Sequence, residues 1–181
     1  MTNPFFKNNG PFKINDLLKL SDIVNIDNFN HNKIFDIKDL ATANKNDITF
    51  FHLKKYESLA IKTKASYCIT NKSLAYILPK NCTAVIVENV LIETAKITRI
   101  FYPNSVTDDF DSNMSDIDKL AVGKLVKHGK NVLVGENVQI GKGCLIGHNS
   151  IIESNVIIGE NCSIGSNVII RKTIIKNNVS I

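Results

Sequence analysis

From Val122 the chain reads VGKLVK, HGKNVL, VGENVQ, IGKGCL, IGHNSI, IESNVI, IGENCS, IGSNVI and then IRKTI. The first column of this six-residue period runs Val122, His128, Val134, Ile140, Ile146, Ile152, Ile158, Ile164 and Ile170. The second column is usually Gly. The fourth holds Asn131, Asn137, Gly143, Asn149, Asn155, Asn161 and Asn167, and the fifth is Val, Cys or Ser from Val126 to Val168. A period of six sustained this long is the signature of a parallel β-helix.

Each column has a physical reason. Position five and the next position one are two apart, so on a strand their side chains point the same way. Both are apolar or small, which makes that face the inside. The residue between them (Lys127, Leu133, Gln139, Ile157) faces out. The chain must then turn, and Asn and Gly tolerate a positive φ best. Position four therefore marks the corner. Three strands and three corners make one triangular coil of about 18 residues, stacked on the next at roughly 4.8 Å. Residues 122–181 thus predict about three coils of a hexapeptide-repeat left-handed parallel β-helix. The period slips once, since Ile170 to Ile175 is five residues.

One large or two small domains fit 181 residues, and an apolar content of 44% supports a folded core. No apolar run is long enough for a transmembrane helix. The start, MTNPFFKNNGPFKIND, lacks the basic, apolar and small-residue regions of a signal peptide, so a cytoplasmic location is expected. The net charge of +5 comes from scattered lysines without a nucleic-acid motif, so nucleic acid is not the expected partner. An acidic protein or a phosphate-bearing substrate suits that charge. The cysteines are Cys68, Cys82, Cys144 and Cys162, with no CxxC pair, so no zinc or other metal site is expected. Cys144 and Cys162 sit one coil apart in the inward column. They read as small core residues in a reducing compartment, with a disulfide between them as the alternative.

Residues 1–119 show no hexad and read as a separate α/β domain. Asn15 or Asp16 is expected to cap a helix through Leu17, Leu18 and Leu20. Ile34, Ile37 and Leu40 lead to a polar turn at 44–47. Ile48–Phe51, Ala65–Thr70 and Thr83–Val87 read as strands, and Lys54–Lys64 as a helix with Tyr56, Leu59 and Ala60 on one side. A second helix from about Val90 to Phe101 carries Ile92, Ala95, Ile97 and Ile100. Strands alternating with helices predict a small mixed sheet with helices packed on it. The stretch from Tyr102 to Lys119 is polar, with Asp108, Asp109, Asp111, Asp116 and Asp118, and reads as an exposed linker rather than a metal site. The domains are therefore placed at 1–105, a linker at 106–121, and the β-helix at 122–181.

The stretch Asp47-Ile48-Thr49-Phe50-Phe51, then Lys55-Tyr56, Ala65-Ser66 and Ala84-Val85-Ile86-Val87, followed by the hexads, resembles the UDP-3-O-acylglucosamine N-acyltransferase family of lipid A biosynthesis. The resemblance runs from about Phe12 to the last residue. Hexads are shared by many acyltransferases; joined to this N-terminal pattern they are much more specific. The resemblance implies transfer of a 3-hydroxyacyl chain from acyl carrier protein to the 2-amino group of a UDP-3-O-acylglucosamine, without a cofactor. It also implies a homotrimer with active sites between neighbouring β-helices.

In that family a motif of the form F-x-x-N-x-x-Y holds the uracil ring between its Phe and its Tyr. Phe50 and Tyr56 fall on those positions, and a flat base between two rings gains stacking and burial. Spacing alone would read Phe50 as strand core and Tyr56 as a helix-face residue. Leu53 stands where the family usually has Asn, which removes an amide able to bond the uracil edge. His52 and Lys55 lie beside the pocket as candidate sugar or phosphate contacts. Lys54, Lys62 and Lys64 extend a basic edge that also reads as a solvated helix face. On the coils, Lys124, Lys127, Lys130, Lys142, Arg171 and Lys172 offer charge to an acidic carrier.

No catalytic residue is assigned. Acyl transfer to an amine needs a base near the amine and a donor for the oxyanion. The family's catalytic His lies many coils further along than Ile181. This chain is therefore expected to be a C-terminally truncated member, inactive by itself, with an uncapped last coil that implies a continuation. Among His31, His52, His128 and His148, only His148, outward at a corner, offers itself as a base. His128 falls in the inward column, where a capping or core role is expected. Three His ligands placed as in β-helical carbonic anhydrases are not available. Two other readings stand beside the enzyme: a non-catalytic UDP-sugar-binding or assembly module, and a different hexapeptide acyltransferase.

Overall fold

A computed structural model describes residues 4–21, 23, 33–106, 109–119 and 125–181. His31, Asp108, Val122 and Lys124 lie outside the described residues. The chain divides into two compact units, Phe6–Thr107 and Asp108–Ile181, the first five residues going with the second.

In the first unit, β1 (Phe12–Lys13) leads directly into α1 (Ile14–Leu20), and β1 pairs antiparallel with β2 (Lys33–Ile34). The helix starts two or three residues earlier than expected. Lys13 is its N-cap and makes no side-chain cap bond, so Asn15 and Asp16 are not caps. Burial sets this phase: Ile14, Leu17 and Leu18 share one face and are fully buried, whereas Leu20 points to solvent. The Ser21 hydroxyl donates to the carbonyls of Leu17 and Leu18 and closes the helix.

Four parallel strands follow in the order β3 (Asp36–Ile37), β4 (Asp47–Phe51), β5 (Tyr67–Thr70) and β6 (Thr83–Ile86). Their side chains alternate between two cores. Ile48, Tyr67, Ile69 and Val85 pack with α1 and with the helix after β6, while Phe51 and Cys68 pack with Leu40, Ala43, Leu74 and Ile77. A parallel sheet covered on both faces reads as this kind of nearly continuous apolar run.

Two helical expectations are corrected. Lys54–Lys64 is not one helix. It is a 3-10 turn at Lys54–Tyr56 and a single-turn α2 (Glu57–Ala60). Thr63 ends it, its N–H donating to the Ala60 carbonyl at 3.3 Å and its hydroxyl accepting from the Ala65 N–H at 3.4 Å. Only Ala60 of the expected face is fully buried; Leu59 is exposed and Tyr56 half-buried. The second helix, α3 (Val90–Phe101), has the expected span, and the Asn89 side chain caps the Ile92 N–H. Its buried face is Val90, Ile97 and Phe101, not Ile92 and Ala95, because Val90 fixes the phase.

The second unit is the left-handed β-helix. Its strands are β8 (Lys127–His128), β9 (Leu133–Val134), β10 (Gln139–Ile140), β11 (Leu145–Ile146), β12 (Ile151–Ile152), β13 (Ile157–Ile158), β14 (Ser163–Ile164), β15 (Ile169–Ile170) and β16 (Ile174–Ile175). They form three parallel sheets: β8-β11-β14, β9-β12-β15 and β10-β13-β16. Ile146 pairs with Ile164 and Ile152 with Ile170, so every sixth residue stacks on the residue one coil later. Val132, Ile146, Ile152, Val156, Ile158 and Ile164 fill the interior.

The corners are where position four placed them. Asn131, Asn137, Asn149, Asn155, Asn161, Asn167 and Asn178 have φ between 55° and 64°, and Gly143 has φ 74°. At the slip Lys172 takes the corner with φ 50°, and Ile157 pairs with Ile174. Inside, Ser150 is fully buried yet satisfied, its hydroxyl donating to the Gly165 carbonyl at 2.8 Å. Cys144 and Cys162 stack as free thiols, with the Cys162 N–H 3.4 Å from the Cys144 Sγ; no disulfide joins them.

Part of the stretch read as a linker is structured. Strand β7 (Ser115–Asp116) pairs antiparallel with β9, and Ile117 is buried in the β-helix core, its N–H donating to the Val132 carbonyl at 3.0 Å. This segment covers the start of the tube, as terminal repeats of solenoids require. Further along the same unit, Asp111 Oδ2 accepts from the Ser154 N–H at 2.9 Å and hydroxyl at 2.5 Å. Arg171 pairs with Glu153 at 3.2 Å and donates to the Asp109 carbonyl. Desolvation alone would raise the Asp111 pKa, but the bonds from Ser154 and Asn113 outweigh it and hold the carboxyl below its ordinary 3.8.

Two outcomes test this packing. Ile152→Ala should cost about 2–5 kcal/mol in a urea titration, while Ile169→Ala, on the outward column, should cost under about 0.5 kcal/mol. Equal costs would contradict the inside–outside assignment. For Asp111 the lowered pKa means its contribution is present above 3.8 and is lost as pH falls through the folded-state value. The Ser154 amide resonance should therefore titrate below 3.8 in the wild type and stay flat in Asp111→Asn. A flat wild-type profile would contradict the contact.

Candidate functional site

The candidate site lies at the carboxyl end of β4. Parallel sheets bind ligands at that end of their strands, where backbone groups turn outward and loops supply side chains. Phe50 is half-buried on the core shared by α1 and α3, and Tyr56 is half-buried on the opposite core. Between them Leu53 is extended (φ −136°, ψ 133°), and the Tyr56 N–H donates to its carbonyl at 3.1 Å, reversing the chain. This turn brings a residue six positions later back toward the strand end.

The ring that meets both is His52. Its centroid lies 6.2 Å from Phe50 at 30° and 5.8 Å from Tyr56 at 44°. Lys55 Nζ sits 4.8 Å from the Tyr56 ring centre, a cation–π distance. Lys54 and Lys55 are both exposed, so this edge of the unit is aromatic and positively charged. Leu53, 45% exposed, supplies neither donor nor acceptor through its side chain. The site can therefore take a flat ring with an anionic substituent.

Thr70, which the sequence did not single out, holds this arrangement in place. Its buried hydroxyl donates to the Phe51 carbonyl at 2.8 Å, fixing the backbone between Phe50 and His52. Its signal was weak, because a Thr at a strand end reads as ordinary β propensity.

The charged cluster of the same unit is at the other end of the strands. Lys38 Nζ bonds the buried Asp47 at 3.0 Å, and that bond outweighs the opposing desolvation to raise the Lys38 pKa. The Tyr102 hydroxyl donates to Asp36 at 2.6 Å; desolvation first, then that bond, push it up to about 12. These groups neutralise one another and tie β3, β4 and the end of α3 together. Its neighbour Cys82 and burial push the Cys68 thiol up.

On the β-helix, His148 is exposed at a corner, and its Nδ1 accepts the Lys130 N–H at 2.8 Å. That bond assigns the proton to Nε2. The Nδ1 lone pair is thus engaged within the corner. Ser154, Ser166 and Asn177 accept corner N–H groups in the same way from Glu136, His148 and Glu160. His128 is half-buried, with Nε2 3.4 Å from Asp118 and Nδ1 3.1 Å from the Gly129 carbonyl, a capping position. Among the described residues, no group of three or more His, Cys, Asp or Glu is placed to hold a metal, and no helix is long and apolar enough to cross a membrane.

The fold is an α/β unit followed by a hexapeptide-repeat β-helix. Residues 137–172 match the model of bacterial transferase hexapeptide repeats, and residues 32–100 match that of UDP-3-O-(3-hydroxymyristoyl) glucosamine N-acyltransferase. Among curated proteins the chain is similar to the UDP-3-O-acylglucosamine N-acyltransferase of Rickettsia prowazekii, 33% identical over 100 residues. It is also similar to those of Rickettsia felis (34% over 100 residues) and Ruthia magnifica (31% over 93 residues). The match to the Rickettsia prowazekii protein spans 54% of this chain and 29% of that protein; the Rickettsia felis match has the same coverage. The Ruthia magnifica match spans 51% and 27%. Over residues 32–100 the chain is thus similar to the UDP-3-O-acylglucosamine N-acyltransferase family, and it spans less than a third of the length of the curated relatives it matches.

Thr70→Val keeps the shape and removes the bond to Phe51. It should lower stability by about 1–3 kcal/mol in denaturant titration. An unchanged midpoint would show that this bond does not hold the strand end.

Proposed function

We propose that this protein serves the N-acylation of UDP-3-O-acylglucosamine in lipid A synthesis, with acyl carrier protein as donor of a 3-hydroxyacyl chain. The observation that supports it most is the joined match: the family's own N-terminal pattern over residues 32–100, with hexapeptide coils following in the same chain. In this reading Phe50 and Tyr56 flank the uracil ring, and stacking supplies much of the affinity. His52 and Lys55 are further substrate contacts, with Lys55 placed toward the diphosphate. Lys54, Lys127, Lys130 and Lys142 add positive charge that favours a diphosphate and an acidic carrier. A homotrimer working in the cytoplasm completes the proposal.

The reaction breaks a thioester C–S bond and forms an amide C–N bond, and the amine must give up a proton. We assign that proton to none of the described residues: the Nδ1 lone pair of His148 is engaged in its corner and His128 sits against Asp118. What these residues contribute is recognition of the nucleotide sugar and the first coils of the tube.

Calorimetry with UDP tests the recognition directly. Phe50→Ala should weaken UDP binding by about tenfold or more, in line with roughly 1–3 kcal/mol for a stacked base. Equal affinity in the variant would overturn the role of Phe50.

A further inference from the structure

We propose that His52 reads the polar edge of the base held at the aromatic cluster and so selects for a base whose N3 edge is free to hydrogen-bond. The proposal rests on the nucleotide-sugar reading above and assigns a task within it. Of the three rings brought together, Phe50 has no polar atom and Tyr56 carries its hydroxyl at the far end of the ring. The imidazole has two in-plane nitrogens, one donor and one acceptor when neutral. It lies within 6.2 Å of one ring centre and 5.8 Å of the other, so a base stacked on either ring presents its edge near these nitrogens.

The other two described histidines differ in this respect. His128 and His148 each place a ring nitrogen on a neighbouring protein group. Among the described residues, no hydrogen bond reaches the ring nitrogens of His52, although the residue is half-buried. A half-buried ring of this kind gains a partner when a ligand arrives. The following residue, Leu53, cannot share the task. Uracil offers an N3–H donor flanked by carbonyl acceptors, and a single imidazole nitrogen can meet either. A site that bonds such an edge rejects a ligand that cannot return the bond, because the protein group is left unpaired.

The test compares UDP with UDP methylated at N3, for the wild type, His52→Phe and His52→Gln. The wild type should prefer UDP by about tenfold. His52→Phe keeps a ring but no polar atom, and its preference should fall to near one. His52→Gln restores a donor and an acceptor and should recover part of the preference, which also shows that the loss is not one of folding. A contact to phosphate or ribose would weaken both ligands equally in His52→Phe and leave the preference intact, which overturns the proposal. A wild type that binds UDP without preferring it over the methylated form overturns it as well. A wild type that binds neither removes the nucleotide reading itself, and this proposal with it.

Discussion

The stacking of each coil on the next is the constraint on which the rest of the tube depends. A strand of two residues cannot satisfy its backbone within itself. Leu145 N–H reaches the Cys162 carbonyl, Leu133 N–H the Ser150 carbonyl and Gln139 N–H the Val156 carbonyl, each one coil on. The side chains inherit the same spacing, so a fault in one coil would misplace every residue above it. That requirement explains why the five-residue step near Ile170 is absorbed at one corner by Lys172, after which Ile174 and Ile175 return to register.

Most of the tube was legible because its columns repeat. Asn at position four, β-branched or small residues inside and mixed residues outside each recur often enough to be read as chemistry. The corner acceptors were not legible. His148, Ser154, Ser166 and Asn177 perform one task with three different side-chain types, and only the hydrogen bonds reveal the shared role. Ile117 was hidden for a related reason, since one apolar residue in an acidic stretch carries no period. In the first unit, local pattern suggested a long helix after Lys54, and tertiary context overrode it: Thr63 turns the chain so that Tyr67–Thr70 can enter the sheet.

The site was half legible. Phe50 and Tyr56 stood out through the resemblance, while the spacing alone left them as core and helix-face residues. Their half-burial on opposite cores agrees with both descriptions, since each ring packs on one side and is open on another. The ring contacts of His52 needed the fold, because they depend on the turn at Leu53 and on Thr70 holding the strand end. The candidate site and the tube are thus built on different physics. One uses a few rings and charges at a strand end, and the other uses a repeated backbone ladder.

The most direct measurement of the central claim is the set of nuclear Overhauser contacts between UDP and the protein. Uracil H5 and H6 should show contacts to the ring protons of both Phe50 and Tyr56. Bound UDP with contacts to neither ring would contradict the account.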